Sequence, residues 1–80
     1  MHELSLMLEL RQQALALMAL HNRRRVVAIT LRIGLGAGVD ADALALAFAS
    51  AMAGTAAASA RLTIESAAGR DLVLAALELG

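Results

Sequence analysis

Residues 26–33, VVAITLRI, do most to limit what this chain can fold into. Val27, Ile29, Leu31 and Ile33 alternate with Val26, Ala28, Thr30 and Arg32, and β-branched residues dominate. That is the period-2 pattern of a strand with one covered face. The alternation sends Val27, Ile29, Leu31 and Ile33 inward and leaves Val26, Ala28 and Thr30 on the opposite face. The glycines of GLGAG at 34–38 end the pattern.

Helical stretches lie on both sides. Residues 3–21 contain no Gly, Pro or β-branched residue and are rich in Leu, Met, Ala, Glu, Gln and Arg, which are good helix formers. Leu4, Leu8, Leu15 and Met18 fit one stripe, with Ala14 beside it. Leu6, Leu10, Leu17 and Leu20 broaden that stripe, as in a helix covered on more than one side. Asn22 suits the residue just past the helix. Residues 40–53 read DADALALAFASAMA. Alanine alternates there, but Leu44, Phe48 and Met52 fall at i, i+4 and i+8, and alanine is the best helix former. A helix is predicted, with Asp40 as its N-cap and Gly54 and Thr55 as its stop.

Residues 61–65, RLTIE, are a short strand with Leu62 and Ile64 on one face. A turn with Gly69 follows at 66–70. Residues 71–79 then read as a last strand, although their leucine-rich ends also allow a helix. The predicted fold class is α+β: a three-stranded mixed sheet with two helices on one face, in the order α-β-α-β-β. The strand-helix-strand unit predicts a parallel pair, and the short turn after Ser66 predicts an antiparallel hairpin. The other sheet face, with Val26, Ala28 and Thr30, would be apolar and open to a partner or to self-association.

Eighty residues make a single domain, 1–80, near the lower limit of what one core can stabilise. With no cysteine there is no disulfide, no thiolate metal site and no cysteine nucleophile. Basic and acidic residues balance, and Phe48 is the lone aromatic. Neither an electrostatic nor a stacking argument for nucleic acid exists. The apolar runs are too short or too interrupted to span a bilayer. The start lacks the basic region of a signal peptide, which leaves the cytoplasm as the default compartment.

The candidate chemistry lies at the amino terminus. The α-amine of Met1, the amide and imidazole of His2 and the amide or carboxylate of Glu3 can close fused chelate rings on one metal. In-plane nitrogen donors suit nickel(II) or copper(II). By itself a histidine at position 2 is also what a chance helix start would show. His21 lies a helix length of nearly 30 Å from His2, too far to share the metal. Arg23, Arg24 and Arg25 read as a solvated turn. GLGAG has the place of a phosphate loop but not its spacing, and no Lys-Ser/Thr follows. No Ser-His-Asp or metal-hydrolase pattern occurs, so no enzyme is predicted.

MHELSL at the terminus, RIG at 32–34, Val39, Leu44 with Ala47-Phe48, Gly54-Thr55 and A-x-L-x-I-E at 60–65 resemble the nickel-incorporation chaperone family of hydrogenase and urease maturation. The spacing holds without a gap over residues 1–65. The resemblance implies a nickel site at Met1, His2 and Glu3, with Asp40, at the start of the second helix, as a second-tier ligand. It implies Ni(2+) as cargo and, as partners, the family GTPase and the large subunit of nickel-iron hydrogenase or the urease maturation proteins. Family members insert a zinc segment with two CxxC pairs after the RLTIE-like strand, a closed tetrahedral site. This chain instead passes through residues 66–70 into Gly69-Arg70-Asp71-Leu72, which resembles the start of the family's last strand at 71–79. No zinc is therefore expected. The rival expectation is an interaction scaffold of the same fold that no longer delivers nickel.

Overall fold

A computed structural model describes residues 3–80. The elements are α1 (Glu3–Leu20), β1 (Val26–Gly34), α2 (Ala41–Met52), β2 (Arg61–Ala67) and β3 (Leu72–Leu79). This is the expected α-β-α-β-β order and the α+β class.

Both helix boundaries have local causes. At the end of α1, Asn22 takes φ 54°. Its N–H donates to the Ala19 carbonyl at 3.1 Å, and Arg23 N–H donates to the Met18 carbonyl at 2.9 Å. A left-handed residue thus closes the last turn and satisfies carbonyls that would otherwise lack partners. At the start of α2, Asp40 is extended, and its Oδ1 accepts from Asp42 N at 3.0 Å, the N-cap bond. The helix stops at Met52, where the Thr55 hydroxyl and N–H both donate to the Met52 carbonyl, at 2.7 and 3.0 Å. Gly54, at φ 74°, makes the turn between them.

The sheet has the order β2-β1-β3. β1 and β2 are parallel, with Ala28 opposite Arg61 and Gly34 opposite Ala67. This is the predicted crossover through α2. The predicted β2–β3 hairpin does not form, because β3 pairs antiparallel with β1 on its far side. Residues 68–71 therefore arch over the end of β1 instead of turning back on β2. Gly34 N–H donates to Asp71 O at 2.7 Å, Leu35 N–H to Ala67 O at 2.8 Å and Gly36 N–H to Gly69 O at 2.8 Å. These bonds satisfy the end of the central strand and fix the arch on it.

Two compensating bulges set the faces. The β1–β3 register skips Val27 on one strand and Ala75 on the other, so Val26 faces Leu79, Ile29 faces Leu77, Leu31 faces Leu74 and Ile33 faces Leu72. An extra residue reverses the side-chain parity beyond it. Val26 is consequently buried with Ile29, Leu31 and Ile33. The strict alternation expected from the sequence had placed it on the other face.

Met7, Leu10 and Ala14 of α1 and Leu44, Phe48, Ala51 and Met52 of α2 complete the core with Ala57, and no polar side chain is buried among the described residues. The buried stripe of α1 keeps part of the predicted one, with Ala14 buried and Leu8 and Met18 packed against the core, and shifts the rest. Leu4 is about half exposed, at 49%, and the inward turn falls on Met7 and Leu10. Leucines lie around most of this helix, so its composition marks no single face.

The open sheet face is not apolar. Arg32 pairs with Glu65 at 3.4 Å, and Arg61 pairs with Glu78 at 4.0 Å. Ala28, opposite both Arg61 and Glu78, is small enough to let that second pair meet above it. The expected apolar face is thereby corrected: Arg32, Arg61, Glu65 and Glu78 put charge on it, and the two pairs stay solvated.

Candidate metal centre

The helix directions fix which candidate ligands share an end of the molecule. Val26 N–H donates to Ala56 O at 3.0 Å, so the chain leaving α2 is at the start of β1. The amino end of α2 therefore lies where β1 finishes. In α1, Leu6, Glu9, Leu10 and Gln13 line a hollow with Leu72, Val73 and Leu74. Those β3 residues pair with Ile33, Arg32 and Leu31 at the end of β1. In the same stretch Arg11 Nη1 donates to the carbonyl of Ala51 near the carboxyl end of α2, at 3.1 Å, and just past α1 Arg24 N–H donates to Gly80 O, at 3.4 Å, beside the start of β1. Both helices run opposite to β1. Glu3, Asp40 and the 68–71 arch accordingly occupy one end of the molecule.

Glu3 opens α1 and is half-buried, while Asp40 is exposed with one carboxylate oxygen engaged in capping. An acidic side chain in the first helical turn is favoured by the helix dipole, which explains Glu3 locally without a metal. Met1 and His2, the heart of the predicted ligand set, lie outside the described residues. Among the described residues no group of three or more His, Cys, Asp or Glu side chains gathers in a form that could hold a metal ion.

The remaining candidates separate from this end. His21 is exposed just beyond α1, and an 18-residue helix puts roughly 27 Å between its ends. Arg23, Arg24 and Arg25 are exposed at the same far end, where Arg25 O accepts from Gly80 N–H at 3.0 Å. In GLGAG the N–H groups of Gly34, Leu35 and Gly36 are already donated to residues 67–71. They are not free to cradle a phosphate. The arch itself was not legible as part of the site. Its signal was the pair of glycines at 34 and 36 opposite Gly69, where side chains would collide.

Residues 1–72 match the family model described as hydrogenase/urease nickel incorporation, metallochaperone, hypA. The chain belongs to the hypA family. The match begins at the amino-terminal head, runs through both helices, β1, β2 and the arch, and ends at Leu72, the first residue of β3. No curated protein matches the chain. The hypA family serves nickel incorporation into hydrogenase and urease, and membership gives the chain a nickel-incorporation metallochaperone role, which implies partner proteins. No helix among the described residues is long and apolar enough to cross a membrane.

Proposed function

We propose that the chain binds Ni(II) at its amino terminus and passes it to an acceptor in the maturation of hydrogenase or urease. The donors are the Met1 amine, the His2 amide and imidazole, and the Glu3 amide or carboxylate, with Asp40 as a second-tier ligand. The observation that carries this reading is the family match, which begins at residue 1 and so includes the head. Glu3 and Asp40 at one end of the molecule support it. Deprotonated amine, amide and imidazole nitrogens form the tetragonal donor set that Ni(II) favours. A terminal site suits ligand exchange with an acceptor rather than catalysis.

The 68–71 arch stands where the resemblance puts the family's zinc segment, and the reading takes 1–80 as a single domain without it. With no cysteine in the sequence, no thiolate zinc site forms. Partners in the reading are the family GTPase and the acceptor's maturation machinery, in the cytoplasm.

The test is nickel titration of the chain with its native amino terminus, followed by ultraviolet-visible spectroscopy. One equivalent of Ni(II) with a square-planar band is expected. His2→Ala and a variant with one residue added before Met1 should both lose it. Equal binding by wild type and His2→Ala would refute the reading and favour a scaffold without delivery. Asp40→Asn keeps a capping oxygen and removes the charge, so a loss of nickel affinity with unchanged melting would assign Asp40 as a ligand.

A further inference from the structure

Leu72–Leu79 reads LVLAALEL, which reversed is LELAALVL, so only Val73 and Glu78 break the palindrome. The strand is also a sheet edge. One side pairs with β1, and among the described residues no backbone group of Leu72–Leu79 bonds to anything on the other. Soluble proteins blunt such edges with Pro, Lys or covering segments. β3 has no Pro or Lys, and Glu78 is its only charge. Beside it lies the hollow of about 410 Å³ lined by Leu6, Leu10, Leu72 and Leu74, with Glu9 and Gln13 at its polar side.

We propose that β3 pairs antiparallel with β3 of a second copy, about a two-fold axis between Ala75 and Ala76. In that register Leu72 lies opposite the partner's Leu79, Leu74 opposite the partner's Leu77, and Ala75 opposite the partner's Ala76. Directly opposed residues share a sheet face. Leu72, Leu74, Leu77 and Leu79 all pack toward the core, because the skipped Ala75 shifts the parity between the two leucine pairs. The two-fold therefore matches leucine with leucine on the helix side along the whole strand. It also brings the partner's Leu77 and Leu79 beside Leu74 and Leu72, which line the hollow with Leu6 and Leu10. The contact is isologous and closes on itself, so it yields a six-stranded sheet in a dimer rather than a filament. It requires no metal.

Sedimentation of the full chain, combined with a charge swap across the axis, tests this. Wild type should sediment at twice its 8.3 kDa mass. Ala75 and Ala76 are exposed, so both variants that follow place charges in solvent-facing positions of the folded chain. The double variant A75K/A76K sets lysine against lysine on either side of the axis and should weaken dimerisation at least about tenfold while circular dichroism stays native. The double variant A75K/A76E sets lysine against glutamate and should restore the dimer. A wild type that stays monomeric at every concentration would overturn the proposal, and would leave an extended segment of another protein as the occupant of this edge. A dimer indifferent to A75K/A76K, or one not restored by A75K/A76E, would overturn it too. Should A75K/A76K fail to fold, hydrogen exchange of the wild type decides: outward β3 amides must lose protection on dilution, and protection independent of concentration refutes the pairing.

Discussion

Gly34 lies directly beneath the carbonyl of Gly69. A Cβ on Gly34 would stand only 2.7 Å from the Arg70 nitrogen, so the arch crosses β1 at backbone contact distance. The neighbouring atoms are main chain and cannot rotate away. Gly34→Ala must lift the arch and stretch the Gly34–Asp71 bond. A loss of about 2–3 kcal/mol is expected from the forced overpacking. Thermal unfolding should show a melting temperature lower by about 10 °C or more. Gly36→Ala meets its nearest atom at 3.1 Å and should cost less.

Asn22 holds a left-handed conformation at the end of α1. Asparagine tolerates this better than a residue with a plain Cβ, and glycine tolerates it best. Asn22→Ala should destabilise by about 1 kcal/mol, whereas Asn22→Gly should be neutral or slightly stabilising. Chemical denaturation of the two variants side by side checks the order.

Arg11 ties the two helices together through the Ala51 carbonyl. That carbonyl is in the last turn of α2, where backbone acceptors lack helical partners and the dipole favours a cation. Arg11→Met keeps most of the aliphatic stem and loses the charged donor. A loss of about 1–2 kcal/mol is expected. Arg61→Ala on the open sheet face should change stability by less than about 0.5 kcal/mol, because its pair with Glu78 is solvated. Comparing the two in urea separates a bond that joins elements from a pair on the surface.

Nickel binding should weaken as pH falls. Every proposed nitrogen donor must be free of its proton, and the His2 amide must lose one on binding. At least one proton is released per nickel, so apparent affinity should drop at least about tenfold per pH unit. The drop should steepen below about pH 6.5, where free imidazole is itself protonated. Isothermal titration in buffers of different ionisation enthalpy counts the protons.

Four elements were legible in the sequence because local signals agreed, with Asp40 as a cap, Asn22 as a stop and Leu44-Phe48-Met52 as a stripe, whereas the last strand rested on its place after a turn and its leucines also allowed a helix. The order of strands was not legible. A four-residue connection looks the same whether it turns back on its own strand or spans a neighbour, and only the backbone bonds of Gly34 and Gly36 to the arch distinguish them. The burial of Val26 depended on the step of three between Val26 and Ile29, matched by the step of three between Leu74 and Leu77. Each step alone looks like an imperfect strand, but paired they keep the core in register. In α1, leucine on nearly every side hid which residues face α2. Of the candidate site, the head was readable only as a motif. That Asp40 shares an end with Glu3 required knowing that both helices run against β1.

β2 and β3 flank β1, so the two ends that the arch joins are separated by two strand spacings, roughly 10 Å. A four-residue clip covers that gap, and so would any larger segment whose own entry and exit are that far apart. The arch adds no residue to the buried core, and β2 and β3 are each held by their own pairing with β1. The arch is in effect a socket on the same rim as Glu3 and Asp40. A segment fitted there would stand beside Glu3 and Asp40, while the pairs of β1 with β2 and with β3 are made outside it.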